Sequence, residues 1–173
     1  MRLSSSSKKR TLKNADWSYS KMPIREIEPQ DIAVITRFET EISMISFGDE
    51  AITDPVFHTK KLEKALRYER EGMLVLDMDG EVSGWMWITP RKNSVTKETY
   101  ANFKSFYIAE SCRGTAYVDE LFEAGMNYCR SEEVTQIVGK VHVSNLPMRL
   151  LYKKYGFKPT HLTMELSFNG SDD

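Results

Sequence analysis

Two apolar runs separated by an Asp-Gly pair constrain the fold more than any other feature. Residues 73–78 and 82–88 are rich in apolar side chains, and Asp79 and Gly80 stand between them. Asp-Gly strongly favours a tight turn with positive φ, so the spacing predicts an antiparallel β-hairpin. Residues 100–108 alternate aromatic, small and apolar side chains and predict a third strand, after a polar loop over 90–99. The centre of the chain is therefore predicted to be an antiparallel sheet.

The segment before the hairpin predicts a short strand and two helices. Ile24 and Ile27 flank the strand, and residues 29–31 begin the first helix, because proline and acidic side chains suit a first helical turn. Apolar residues continue this helix at helical spacing until Gly48 interrupts them: Ile32, Ile35, Phe38, Ile42 and Ile45. Thr59 is predicted to cap a second helix. The apolar residues of that helix are Leu62, Ala65 and Leu66.

Residues from Ala116 onward predict a helix, a strand, a short helix and a closing strand. The first helix carries a single apolar stripe, which consists of Val118, Leu121, Phe122, Gly125, Met126 and Cys129. Alternation over 137–143 predicts the strand, Asn145 and Pro147 open the short helix, and Gly156 ends it. Alternating apolar residues predict the closing strand: Leu162, Met164, Leu166 and Phe168.

The charge composition argues against a nucleic-acid coat protein and against an acidic tail. The 173 residues include 24 Lys and Arg and 25 Asp and Glu. Residues 1–21 hold six basic side chains against Asp16 alone, so the remainder is acidic by about six charges. We predict a flexible basic arm over 1–21, one domain over 22–168 and a polar tail over 169–173. Nucleic-acid binding by the arm is a less favoured alternative, because its aromatic residues lie only at its end.

The cysteines and histidines do not form a recognisable metal site. Sixteen residues separate Cys112 from Cys129, and the three histidines are equally scattered along the chain. No apolar run approaches the roughly 18 residues of a membrane span. The N-terminus has basic residues without a following apolar run, so we expect a cytoplasmic protein with no membrane partner.

The turn over residues 111–116 joins a predicted strand to a predicted helix. It contains Arg113 and Gly114, and it brings unpaired backbone N–H groups and the positive end of a helix dipole to one point. Such turns bind phosphate groups. Alone, an Arg-Gly pair before a helix is more often an ordinary turn. Both the second glycine of the dinucleotide fingerprint and the Gly-Lys-Ser/Thr ending of the phosphate loop are missing.

A downstream motif resembles that of the GCN5-related N-acetyltransferases. Five of the six fixed positions of the family's motif N-x-x-A-x-x-L-Y-x-x-x-G-F match, at Asn145, Leu151, Tyr152, Gly156 and Phe157. The segment from Arg113 to Ala116 is similar to the family's acyl-CoA pyrophosphate loop, Q/R-x-x-G-x-G/A, and the predicted element order over 22–168 agrees. The resemblance implies an α/β (α+β) fold in which helices flank a mixed, largely antiparallel central sheet.

The resemblance also implies the reaction. Acetyl-CoA would be the acyl-donor cosubstrate, and an amine acceptor would attack it directly in a ternary complex. The family's cofactor contacts fall on Phe106, Tyr107, Ile108, Arg113, Gly114, Thr115, Ala116 and Asn145, and Tyr152 would protonate the departing thiolate. The acceptor would lie against the first two helices, in a region that includes Phe38 to Phe57, Trp85, Trp87 and His161. A homodimer is left open.

Several positions depart from the family pattern. The differing residues are Ser111, Val118 and Met148, and Asp119 and Glu120 add negative charge near the pyrophosphate loop. Where family members carry a general base, this chain has Asn102 and Lys140. Glu98, Glu110, His142 or a water relay are the remaining candidates for that base. A non-catalytic acyl-CoA-binding or regulatory module is therefore the alternative to an enzyme.

Overall fold

The computed structural model describes residues 23–166 and residue 168. The strands are β1 (Ile24–Glu26), β2 (Met73–Met78), β3 (Glu81–Lys92), β4 (Thr99–Ile108) and β5 (Gln136–Gly139). The helices are α1 (Ile32–Phe47), α2 (Pro55–Leu66), α3 (Ala116–Ser131) and α4 (Leu146–Lys154). One-turn 3-10 helices occupy Pro29–Asp31, Gly48–Glu50, Arg70–Gly72 and Glu110–Cys112.

The five strands form one mixed sheet in the order β1-β2-β3-β4-β5. The first three pairings are antiparallel, and β5 lies parallel to β4 because α3 carries the chain back across the sheet. Asp79 and Gly80 have φ angles of 55° and 94°, so the predicted hairpin is confirmed together with its turn. The predicted mixed, largely antiparallel sheet with flanking helices is also confirmed.

Each face of the sheet is covered by two helices. Alternate residues of β2 point to opposite faces: Leu74 and Leu76 pack towards α3, whereas Met73 and Val75 pack towards α1 and α2. The α3 face buries Leu121, Phe122, Met126 and Cys129 of the predicted apolar stripe. The α1 face buries Ile32, Ile35, Phe38, Leu62 and Ala65, against Trp85 and Trp87 of β3.

Two element boundaries differ from the prediction. The side chain of Asp54 accepts a hydrogen bond from the Val56 N–H at 2.9 Å, so α2 begins at Pro55 and Thr59 is not its cap. Strand β3 continues to Lys92, although a loop was predicted from residue 90. Pro90 pairs with Ala101 of β4 in this extension, which shows that the polar residues there still lie on a strand.

The predicted strands of the C-terminal segment are shorter or missing. Strand β5 ends at Gly139, so Val141 and Val143 lie outside it. The predicted closing strand does not form within the described residues, and its Leu162 and Met164 side chains are 87% and 86% exposed. Apolar alternation specifies a strand only where a neighbouring strand edge is available, and here the segment pairs with none. The predicted basic arm and polar tail lie outside the described residues.

Candidate active site

Strand β4 is paired along only half of the edge that faces β5. The pairing with β5 runs from Tyr100 opposite Gln136 to Phe103 opposite Gly139 and then stops. Beyond this point β4 continues to Ile108 with β3 alone as its neighbour. The two strands therefore diverge, and the wedge between them exposes the backbone of β4.

The ladder between β3 and β4 determines which backbone groups face this wedge. The Ala109 N–H donates to the Ser83 carbonyl at 2.8 Å, so Ala109 and Ser83 are a hydrogen-bonded pair. Because hydrogen-bonded pairs alternate along an antiparallel ladder, the main-chain groups of Phe106 and Ile108 point away from β3 and into the wedge. Arg113 Nε donates to the Ile108 carbonyl at 3.0 Å, which ties the turn after β4 to this edge.

The N-terminus of α3 lies next to the wedge. Thr115 caps the helix, because its Oγ1 accepts a hydrogen bond from the Tyr117 N–H at 3.3 Å. Gly114 has φ of +72°, a conformation that other residues adopt only with strain. Within the described residues the N–H groups of Gly114, Thr115 and Ala116 have no hydrogen-bond acceptor. Three consecutive donors and the positive end of the helix dipole make this turn an anion site.

Tyr152 enters the wedge from α4 on the side of β5. Its ring stacks on Phe157 at 4.6 Å and meets the edge of Phe103 at 5.6 Å, and the residue is only 7% exposed. A methyl group on Gly139 would collide with the Tyr152 hydroxyl, so the glycine at the end of β5 allows the close approach. Burial raises the pKa of Tyr152 above its ordinary value, and the hydroxyl is protonated at neutral pH.

Asn145 and Asp119 occupy the rim of the same opening. Asn145 Oδ1 accepts a hydrogen bond from the Met148 N–H at 3.2 Å and so caps α4, which leaves the amide Nδ2 as its donor to the cleft. Asp119 pairs with Lys154 at 2.6 Å, and Tyr155 donates to the same carboxylate at 3.0 Å. The bond from Lys154 lowers the pKa of Asp119 and offsets the negative charge that the sequence places beside the anion site.

These groups border one cleft of about 850 Å³, a volume within the range of small-molecule sites. Eight of the nine residues predicted from the sequence line it: Phe106, Tyr107, Ile108, Arg113, Gly114, Thr115, Asn145 and Tyr152. Ala116 does not line the cleft and sits one residue beyond its wall, at the start of α3. Val118 and Met148, which depart from the family pattern, are part of the lining.

Only part of the predicted acceptor region borders the cleft. Ile42, Ile45 and Ser46 of α1 line the cleft, but Trp85 and Trp87 are buried in the core, and His161 is exposed outside it. The predicted candidates for a base do not line the cleft either: Glu98, Glu110 and His142. Lys140 does line it. Sequence reasoning missed Glu41 of α1, whose carboxylate accepts a hydrogen bond from the Tyr107 hydroxyl at 2.5 Å.

Comparisons with known proteins agree with this geometry. Residues 37–157 match the model of the acetyltransferase (GNAT) family. A Bacillus subtilis (strain 168) protein named "putative ribosomal protein bS18-alanine N-acetyltransferase" is 26% identical over 142 residues, which is 81% of this chain and 83% of the relative.

Two solved structures share the fold. The BH1408 protein from Bacillus halodurans, solved as a mutant, superposes with a TM-score of 0.73 at 21% identity, over 84% of this chain and 98% of that one. The ribosomal-protein-alanine N-acetyltransferase from Brucella melitensis biovar Abortus 2308 superposes with a TM-score of 0.65 at 14% identity, over 84% and 97%. The part of the chain that the structure describes contains no helix long and apolar enough to cross a bilayer.

Proposed function

Since the chain belongs to the acetyltransferase (GNAT) family and is an N-acetyltransferase, we propose that it transfers the acetyl group of acetyl-CoA directly to an amine acceptor. The observation that carries the proposal is the wedge between β4 and β5. It brings a backbone anion site, a strand edge that β5 does not pair and a buried tyrosine to one cleft. Each of these groups suits one part of an acyl-CoA thioester.

The donor half of the cleft accounts for the cofactor. The pyrophosphate of acetyl-CoA accepts hydrogen bonds from the N–H groups of Gly114, Thr115 and Ala116. The pantetheine arm runs along the edge of β4 that β5 leaves unpaired, where the main-chain groups of Phe106 and the N–H of Ile108 bond to it and the N–H donors polarise the thioester carbonyl. The Nδ2 group of Asn145 bonds to the same arm from α4. Backbone donors bind this polyanion although the domain has no excess of basic side chains.

Tyr152 completes the reaction as the general acid. The acceptor nitrogen forms a C–N bond with the acetyl carbon while the C–S bond breaks, and the thiolate takes the proton of Tyr152. The tyrosinate then regains a proton that leaves the acceptor nitrogen. A tyrosine whose pKa is raised by burial holds its proton until negative charge develops on the sulfur, which favours donation late in the step.

The names of two relatives suggest the first acceptor to test. Both the Bacillus subtilis relative and the Brucella structure carry names that specify alanine of a ribosomal protein. We propose that the acceptor is the α-amino group of a protein chain, and the acidic balance of residues 22–173 would attract a cationic amine.

Calorimetry with acetyl-CoA followed by a thiol-release assay tests the proposed reaction. Three acceptors are compared. The first is a peptide that begins with alanine, the second is this peptide with its N-terminus acetylated and a lysine placed within it, and the third is spermidine. We expect acetyl-CoA to bind and the alanine peptide to release the most thiol. Binding without thiol release on any acceptor would contradict the reaction and favour the acyl-CoA-binding module, and the absence of binding would contradict both.

A further inference from the structure

Glu41 and Tyr107 meet on the face of the sheet opposite α3. The Tyr107 hydroxyl of β4 donates a hydrogen bond of 2.5 Å to Glu41 Oε2 of α1, across 66 positions of sequence. Phe38 lies one helical turn before Glu41 and stacks on the Tyr107 ring at 4.2 Å with an interplanar angle of 19°. Residues three apart on a helix share a face, so α1 holds both the ring and the hydroxyl of Tyr107.

The direction of this hydrogen bond leaves the Tyr107 oxygen able to accept a hydrogen bond. Its single hydrogen points at Glu41, so its oxygen keeps two lone pairs to accept with, one of them towards the neighbouring Arg113 guanidinium, and Tyr107 is part of the cleft wall. Burial and the bond to Glu41 raise the pKa of Tyr107, which keeps the hydroxyl neutral at ordinary pH. Glu41 is thus linked to the cleft wall through Tyr107, although Glu41 is not itself part of that wall.

Most of the other charged groups around Tyr107 and the cleft already have partners, and Lys140 is the exception among the described residues that line the cleft. Lys104 binds Glu69 at 2.7 Å, and Lys154 binds Asp119 at 2.6 Å. The guanidinium of Arg113 lies 5.8 Å from the Tyr107 ring and is bonded to the Ile108 carbonyl. Lys140 adds a positive charge on the far wall, where no acid faces it within the described residues. Tyr107 and Glu41 are therefore the groups in this arrangement that are suited to receive a cationic amine.

We infer that Tyr107 and Glu41 bind the acceptor's ammonium group and remove its first proton, an inference that rests on the proposed function. The ammonium N–H donates to the Tyr107 oxygen, the tyrosine proton moves to Glu41, and the ammonium proton replaces it on the tyrosine. The neutral amine then attacks the thioester carbon, and the first proton leaves from Glu41 to solvent. The reaction yields one amide, one free thiol and one released proton, as the conversion of an ammonium requires.

Tyr107 is the catalytic residue of this pair, because it touches the acceptor, and Glu41 is a positioning residue that receives the proton through it. A purely structural pair would also fix α1 against β4 by the same hydrogen bond. The two roles differ in their response to pH, because an amine that has already lost its proton to the solvent needs no base. They also differ in the response to Glu41→Asp, which keeps a carboxylate but shortens its reach.

The experiment compares wild type, Glu41→Gln, Glu41→Asp and Tyr107→Phe, with exposed Glu50→Gln as the matched control. The probe is the alanine-first peptide, and kcat/KM is measured from pH 6.5 to 10. At pH 7 we expect Glu41→Gln and Tyr107→Phe to lose about 100-fold, within the range for a missing general base. The loss in Glu41→Gln should shrink to below about tenfold at pH 10, and Glu41→Asp should recover part of the rate at pH 7.

The outcomes separate this inference from the proposed function. Wild-type protein that binds no acetyl-CoA, or that releases no thiol, overturns the proposed function and the inference with it. Wild-type turnover with unchanged kcat/KM in Glu41→Gln overturns the inference alone. A loss in Glu41→Gln that is the same at every pH, accompanied by a lower melting temperature, also overturns it and assigns the pair to the packing of α1.

Discussion

The two faces of the sheet present different kinds of chemical group to the cleft. On the α3–α4 face the contributions are mainly backbone N–H groups at the start of a helix and along a strand edge, joined by Tyr152. On the α1–α2 face they are side chains, with Tyr107 held between Phe38 and Glu41. The fold fixes the backbone groups, which suits a proposed cofactor that is always the same. The side chains of the other face can differ from one protein to another, which suits a wall that selects the acceptor.

The largest effect should come from Tyr152 on the donor side. Replacing it by phenylalanine removes the proton for the thiolate, and we expect kcat to fall about 100-fold while acetyl-CoA affinity stays within about twofold. Steady-state thiol release and calorimetry provide the two numbers. Tyr128→Phe is the matched control, because Tyr128 lies on α3 outside the cleft. Equal kcat in the two variants would disprove the assigned acid.

Glu69 should stabilise the acceptor side without taking part in binding. Its carboxylate accepts bonds from Trp87, Thr89, Arg91 and Lys104. Burial opposes ionisation of Glu69, but the bonds from Lys104, Thr89 and Arg91 outweigh it and lower the pKa of Glu69 to about 2. Because the partners Arg91 and Lys104 are partly exposed and solvent screens the charges, Glu69→Gln should lower the free energy of unfolding at pH 7 by about 2 kcal/mol, less than the pKa shift alone implies.

The pH dependence of unfolding provides the check on Glu69. A lowered pKa in the folded state gives stability above the unfolded value near 4.5 that disappears as the pH falls towards 2. Urea unfolding at pH 7, 4 and 2.5 should show the wild type approaching Glu69→Gln as the pH drops. Exposed Glu63→Gln is the control. A constant difference across this range would contradict the ionic origin of the effect.

Gly114 tests the backbone anion site. Its φ of +72° costs about 1–2 kcal/mol for a residue with a Cβ, so Gly114→Ala should weaken acetyl-CoA binding by roughly tenfold as the turn relaxes. Gly80→Ala is a matched control, because Gly80 has φ of +94° in open space in the β2–β3 turn. If calorimetry shows the same loss of acetyl-CoA affinity in both variants, the effect comes from lower general stability and not from the turn at Gly114.

The smallest effect should come from the ion pair on the rim. Lys154→Met removes the ion-pair partner of Asp119 and leaves a negative charge near the proposed pyrophosphate site. The pair is largely exposed, so we expect acetyl-CoA affinity to fall only two- to fivefold, with a smaller difference at high salt. Lys153→Met, one residue earlier on α4, should have no such effect. Affinity that rises in Lys154→Met would contradict the assigned neutralising role.

The contrast between the faces also explains what could be predicted from the sequence. The anion site depends on Gly114 and on a helix that starts two residues later, and both requirements lie close together in the chain. Tyr152 was predicted from a motif whose residues also lie close together in the chain. Glu41 and Tyr107 meet only because the sheet brings α1 beside β4, and no spacing within the sequence indicates a contact over 66 positions.

The errors have similar physical causes. The buried tryptophans Trp85 and Trp87 were expected near the acceptor, but their indole N–H groups bond to Glu39 and Glu69, which lets both rings lie in the core. Thr59 was expected to cap α2, but Asp54 offers a cap five residues earlier, next to a proline that suits the first position. The closing strand was inferred from alternation alone, which contains no information about a partner.

Amide NMR of the labelled protein during titration with CoA tests the central claim most directly, because that claim concerns backbone groups. The account predicts that the largest chemical-shift changes fall on Gly114, Thr115 and Ala116, followed by Phe106 and Ile108, with little change in the β2–β3 turn. CoA that binds while these amides stay unperturbed would contradict the claim that the wedge between β4 and β5 is the cofactor site.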